Sequence, residues 1–200
     1  MIHGFLKACT VSPALRVADC AFNTQQTIAA MQRAAADGVQ LAVFPELGLT
    51  GYTCGDLFFQ QPLQRAAARG LTAVLEASAD LDLVALVGLP VTVDGKLYNC
   101  AAVVCHGKLL GLVPKTYLPN YGEFYERRQF NPAPAGVRTL HFAGQEVPFG
   151  TQLLFRCVEM PEFCLGVEVC EDLWAPLPPS THHALAGATV IANLSASDET

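Results

Sequence analysis

Apolar and polar positions alternate at the start of the chain: "HGFLKACTVS" has the period of two expected of a strand with one buried face. "DCAFNTQQTIAAMQRAAADG" then turns to helix formers, with a polar start at Asp19 and Gly38 placed to end the helix. "VQLAVFPE" is a short continuous apolar run, the pattern of a strand covered on both faces, and it stops at Pro45-Glu46. "DLFFQQPLQRAAARGLTAVLEASAD" predicts a second helix, interrupted near Gly70, and "LVALVGLPVTV" a third strand. In "DGKLYNCAAVVCHGKLLGLVPK" the turn signals Asp94-Gly95 and His106-Gly107 separate alternating runs, so antiparallel strands follow the early β-α-β part and the sheet is expected to be mixed.

From Pro114 to Pro134 the character changes to "PKTYLPNYGEFYERRQFNPAP", too long for a simple connection and too aromatic for disorder. A functional loop fits best. "VRTLHFAGQEVPFG" predicts a hairpin, "QLLFRCVEM" and "FCLGVEVC" two more strands, "PPSTHHALAG" a proline-started helix and "ATVIANLS" a final buried strand. The chain contains no internal repeat, low-complexity tract or linker, and neither glycine-rich phosphate-loop pattern occurs.

Composition narrows the class to one compact mixed α/β (α+β) domain. Of the 200 residues, 52% are hydrophobic and 15% charged, enough for one substantial core and too little charge for disorder. The net charge of -6, with no basic cluster beyond Arg127-Arg128, speaks against nucleic acid as a partner. No apolar run approaches the roughly 20 residues that span a bilayer, and "MIHGFLKACTVSP" lacks a secretory core. A cytoplasmic protein without membrane contact is expected. The eight cysteines are therefore expected to be reduced thiols, and Cys9, Cys100, Cys105, Cys157 and Cys164 to be small core residues. There is no CxxC, and neither Cys100/Cys105, Cys157/Cys164/Cys170 nor His182-His183 has convincing zinc-ligand spacing, so no metal site is expected.

Three polar residues stand where an apolar run gives out: Glu46 after "LAVFP", Lys115 after "LLGLVP" and Cys170 after "LGVEV". Strand ends are where α/β folds build sites. A thiol of ordinary pKa about 8.5 needs a base or a nearby cation to become a nucleophile at neutral pH. Glu46 can take its proton, and Lys115 can favour the thiolate and stabilise an oxyanion formed on a carbonyl. Spacing is equally compatible with a Cys-His pair using His141, His182 or His183, oriented by Asp172 or Asp198.

The text around these residues resembles a known family. "FPELGLTGY", "PKTYLPNYGEFYERRQF" and "GVEVCEDLW" are similar to the three signature blocks of the nitrilase, or carbon-nitrogen hydrolase, superfamily. "GYTCGDLFF", "LPNYGEFYERRQF", the opening "GFLKACTVSPALRVADCAFNT" and the closing "GATVIANLSASDET" resemble the N-terminal glutaminase domain of the glutamine-dependent NAD+ synthetase family. The resemblance implies a nitrilase-type α-β-β-α sandwich that hydrolyses L-glutamine through a cysteine thioester. Glu46 is implied as general base, Lys115 as oxyanion-stabilising lysine, Cys170 as nucleophile and Glu123 as a supporting second glutamate. Tyr121 and Ser197 match glutamine-holding positions, while Tyr52, Phe124, Glu171 and Trp174 would wall the pocket; the aromatics suit an ordinary core equally, and Glu171 a surface acid.

In that family the sandwich continues beyond Thr200 and is followed by a synthetase domain, so residues 1–200 are expected to be a hydrolase domain incomplete at its C-terminus. ATP and Mg2+ would belong to the absent synthetase domain, and no cofactor to this one. The resemblance also implies a homo-oligomer. Two further readings stay open, a free-standing amidase on another small amide and an inactive assembly module.

Overall fold

The computed structural model describes residues 5–197. Helix α1 (Cys20–Ala36) begins where Asp19 accepts a hydrogen bond from the Phe22 N–H at 3.0 Å, and the chain leaves it through Gly38 at φ 71°. Helix α2 spans Gln61–Ala77. Together they carry the parallel strands β1 (Ala8–Thr10), β2 (Leu41–Val43) and β3 (Val84–Val93). Strands β4 (Lys96–Cys105) and β5 (Lys108–Pro114) continue antiparallel through Asp94-Gly95 and His106-Gly107. Both residues of each turn have positive φ, which matches the right-handed twist of the flanking strands. The hairpin β6 (Arg138–Phe142) and β7 (Gln145–Phe149) completes a seven-stranded sheet of order β1-β2-β3-β4-β5-β7-β6.

A second sheet, of order β10-β9-β8, is built from β8 (Leu154–Arg156), β9 (Cys164–Val169) and β10 (Val190–Leu194). The two sheets stack because successive side chains of a strand point to opposite faces. Val87, Leu89 and Val91 cluster with Met31 of α1 and Leu71 and Val74 of α2. On the other face Leu86, Ala101, Val103 and Val113 cluster with Leu165, Val167, Val169 and Leu194 of the second sheet. Covered on both sides, β3 and β4 are apolar almost throughout, the pattern that the sequence presents as continuous runs. The outer face of the second sheet carries α3 (Pro179–Leu185), whose His183 sits so close to β9 that a Cβ on Gly166 would lie 2.8 Å from it. The layers run α-β-β-α.

One expected element boundary moves. Helix α2 is not interrupted at Gly70; the break comes earlier, where Tyr52–Phe59 winds as 3₁₀ turns and Pro62 opens the α-helix. Gly70 is instead a contact point between the helices, because a Cβ there would come 2.4 Å from the Thr24 hydroxyl of α1. Gly70→Ala is therefore expected to destabilise the protein by about 1–2 kcal/mol in urea unfolding, overpacking outweighing alanine's better helix propensity. A more stable variant would show that Thr24 simply rotates away.

The Pro114–Pro134 segment is ordered by an internal backbone bond, Glu126 N–H to Pro119 O at 3.2 Å, by one to β4, Asn131 N–H to Leu97 O at 2.8 Å, and by the Phe58–Phe130 ring contact at 4.8 Å. No helix among the described residues is long and apolar enough to cross a membrane.

Candidate active site

The ends of β2, β5 and β9 deliver the three residues singled out by sequence. Glu46 follows β2 in a turn pressed onto β3, where a Cβ on Gly88 would lie 2.4 Å from Leu47 N and Pro45 O; only glycine admits that approach. Lys115 follows β5, its N–H extending the ladder to Asn99 O at 2.8 Å. Cys170 follows β9 and has φ 48°, in the left-handed region that residues with a Cβ rarely occupy.

Lys115 Nζ lies 2.6 Å from Glu46 Oε1 and 2.6 Å from Glu126 Oε1, and the three residues are only 0%, 1% and 4% exposed respectively. Asn99 Nδ2 donates to Glu46 Oε1 at 2.6 Å and to Glu126 Oε2 at 3.5 Å; Tyr52 Oη donates to Glu126 Oε1 at 2.8 Å, and the Ala196 N–H to Glu46 Oε2 at 3.2 Å. Burial alone would strip the lysine of its proton, but the two carboxylates outweigh it and hold its pKa above the ordinary value. Burial likewise pushes Glu126 up, against the lowering pull of Lys115. The cluster thus holds an ammonium between two carboxyl groups in a water-poor pocket.

The charges of Glu46 and Lys115 both reach Cys170. Its Sγ lies 3.7 Å from Ser197 Oγ, which is 2.7 Å from Ser195 Oγ, so hydroxyl groups border the buried sulfur. Burial, and then the Glu46 charge, push the thiol pKa up further than Lys115 pulls it down. Lys115 thus pulls toward the thiolate, and burial together with Glu46 outweighs it. A thiol pKa raised in this way favours the protonated form, so a nucleophilic role for Cys170 requires a base to take its proton.

The second glutamate also needs correction. Glu123 is exposed at the tip of the loop, where Gly122 has φ 58° and the Phe124 N–H bonds back to Tyr121 O at 3.0 Å. The loop closes at Pro119–Glu126, and that turns Glu126 rather than Glu123 toward Lys115. Tyr52, Phe124, Tyr121 and Glu171 form a chain of side-chain contacts. Tyr52 and Tyr121 each meet the ring of Phe124 edge-on, with centroids 6.4 and 5.8 Å apart, and Tyr121 Oη donates to Glu171 at 2.8 Å. Tyr121, Glu171 and Trp174 line one open cleft of about 810 Å³. Trp174 is 73% exposed and is therefore no core aromatic.

The histidine alternative loses its geometry. His141 pairs with Glu146 on the β6-β7 hairpin, the buried His183 with Thr151 O, and His182 is exposed on α3; among the described residues none of the three bonds the thiol. Asp172 orients no histidine. Its carboxylate accepts from the N–H groups of Thr116, Tyr117 and Val169 at 3.0, 2.8 and 3.1 Å, tying the segment after Lys115 to the strand before Cys170. Burial pushes its pKa up to about 7 against those three donors. Asp198 lies outside the described residues. Among the described residues no three His, Cys, Asp or Glu side chains are grouped to hold a metal ion.

Sequence reasoning missed Asn99 and Glu126. Asn99 is the one polar side chain within "LYNCAAVV", a buried amide in an apolar run, and that was its only signal.

A buried acid-amine pair with a thiol at a neighbouring strand end, on an α-β-β-α sandwich, defines the class. Residues 8–199 match the carbon-nitrogen hydrolase family, and the chain belongs to it. Among its relatives, the glutamine-dependent NAD(+) synthetase of Mycobacterium tuberculosis (strain ATCC 25618 / H37Rv) is 44% identical over 195 residues, which cover 98% of this chain and 29% of that protein. That of Thermotoga maritima is 37% identical over 176 residues, covering 88% of this chain and 27% of the relative. The crystal structure of a glutamine-dependent NAD(+) synthetase from Cytophaga hutchinsonii superposes with a TM-score of 0.84 at 28% identity, over 96% of this chain and 30% of that one. An amidase from Nesterenkonia sp. shares the fold, with a TM-score of 0.70 at 22% identity over 97% of this chain and 66% of its own. The chain thus spans under a third of the length of the curated synthetases it matches.

Proposed function

We propose that this domain hydrolyses the side-chain amide of L-glutamine to glutamate and ammonia through a thioester on Cys170. The observation that carries the reading is the direct contact of Lys115 with Glu46 in a pocket whose charges reach the Cys170 thiol. Glu46 takes the thiol proton as Sγ attacks the amide carbon, and the oxyanion that develops is stabilised by the Lys115 ammonium. The proton passes to the departing nitrogen, the C–N bond breaks and ammonia leaves. Glu46 then deprotonates a water molecule that attacks the thioester carbon, the C–S bond breaks, and glutamate and the thiol are regenerated.

Glu126, Asn99 and Tyr52 keep Lys115 charged and fixed. Tyr121, Phe124, Glu171, Trp174 and Ser197 hold the amino-acid end of the substrate, with the Glu171 carboxylate suited to its ammonium group. By its kinship with the synthetases, we assign the ammonia to amidation of deamido-NAD+ in a synthetase domain that follows this one, and the use of ATP and Mg2+ to that domain. The same kinship supports a cytoplasmic location.

Incubation of the purified protein with L-glutamine is expected to release ammonia and glutamate in equal amounts. Release of ammonia from propionamide but not from glutamine would replace this reading with that of a simple amidase.

A further inference from the structure

We infer that Asn193 is a positioning residue for the nucleophile, holding both backbone polar groups of Cys170 and thereby aiming the next peptide N–H at the reacting carbonyl oxygen. The inference rests on the reading of Cys170 as nucleophile.

Cys170 occupies a left-handed conformation, φ 48°, which costs a residue with a Cβ on the order of 1 kcal/mol or more and persists only where its surroundings fix it. Asn193 fixes it. This residue lies on β10, opposite Glu168 of β9. Its Oδ1 accepts from the Cys170 N–H at 3.0 Å, and its Nδ2 donates to Cys170 O at 3.2 Å and to Glu168 Oε1 at 3.3 Å. The partners settle the amide's orientation, because an N–H needs the oxygen, and a carbonyl with a carboxylate needs the NH₂. Glu168 is fully buried, and its second oxygen accepts from the Ser180 N–H at 2.9 Å, at the start of α3. A relay of bonds thus runs from α3 through Glu168 and Asn193 to both ends of Cys170.

The consequence for chemistry follows from peptide planarity. With Cys170 O held by Asn193, the trans peptide directs the Glu171 N–H to the opposite side. Outside its own 3₁₀ turn, Cys170–Trp174, that N–H meets no hydrogen-bond acceptor among the described residues. Lys115 already spends two of its three N–H bonds on Glu46 and Glu126. The Glu171 N–H is a donor held ready for negative charge that develops only during reaction, the arrangement that lowers barriers most.

Two electrophiles separate aim from reactivity. With p-nitrophenyl acetate the sulfur adds to a carbonyl, an oxyanion forms and collapses, the C–O bond breaks and p-nitrophenolate leaves. With iodoacetamide the sulfur displaces iodide at a saturated carbon and no oxyanion arises. Acylation is read as the p-nitrophenolate burst above that of Cys170→Ala, and alkylation by mass spectrometry of the Cys170 peptide. Asn193→Ala is expected to slow acylation roughly thirtyfold while alkylation stays within about threefold, somewhat less than the loss of an oxyanion donor itself.

Asn193→Asp keeps the acceptor for the Cys170 N–H and loses the donor to its carbonyl, so it should share the loss. If Asn193→Ala does not fold, Asn193→Ser and Glu168→Gln carry the same comparison. An unchanged ratio of the two rates, or a parallel fall of both, in a folded variant would overturn the inference. A parent burst no larger than that of Cys170→Ala would instead remove the nucleophile reading beneath it.

Discussion

Replacing Cys170 by alanine is expected to bring glutamine hydrolysis down to background, a loss on the order of 10⁶ in kcat when a nucleophile working with its base is removed. On the proposed mechanism no thioester can then form, and Glu46 is left to direct water at an unactivated amide. The fold should survive. Alanine and cysteine share the same left-handed strain at φ 48°, and the sulfur's contact with Ser197 Oγ, at 3.7 Å, is longer than a strong bond. Losing one small buried group should cost about 1 kcal/mol. Ammonia release and thermal unfolding are measured on the same preparation. A variant that melts normally and still releases ammonia near the parent rate would move the nucleophile to another residue.

Lys115→Met should do more damage to the fold. It leaves Glu46 and Glu126, both nearly sealed from water, without their cation. Removing one partner of a buried ion pair typically costs about 3–5 kcal/mol. The deficit should depend on pH in a defined sense. Burial already raises the Glu126 pKa and Lys115 opposes that rise, so the variant's carboxyl titrates higher still. A carboxyl whose folded pKa exceeds its unfolded value of about 4.3 stabilises fully below that value and loses the contribution as pH climbs through the folded pKa. The raised lysine pKa in the parent works at the alkaline end and changes nothing between pH 5.5 and 8. Urea midpoints should therefore separate parent and variant more at pH 8 than at pH 5.5, and adding Glu126→Gln should recover part of the loss. Equal separations at both pH values would mean that water enters once the lysine is gone.

Much of the layer structure was legible because local chemistry decided it. The Asp94-Gly95 and His106-Gly107 turns, the Asp19 start of α1 and the unbroken apolar runs of β3 and β4 each follow from residues within a few positions of one another. Glu46, Lys115 and Cys170 stood out because each ends such a run. What sequence could not convey depends on paths through space. Glu123 and Glu126 are both glutamates of one aromatic loop, and only the closure between Pro119 and Glu126 decides which faces the lysine. Gly70 resembles a helix breaker until α1 packs against it. The thiol's raised pKa comes from desolvation, which no spacing of charges along the chain reports. Asn193 sits in an ordinary strand pattern, and its hold on Cys170 exists only because β10 lies beside β9.

Glu46 and Lys115 are supplied by the seven-stranded sheet, Cys170 and Asn193 by the three-stranded one, and among the described residues Glu46 is stitched to the far layer by its N–H to Ser195 O at 3.3 Å and by the Ala196 N–H to Glu46 Oε2 at 3.2 Å. The proposed base and the proposed nucleophile therefore belong to different slabs of the molecule, and their alignment is a property of the seam.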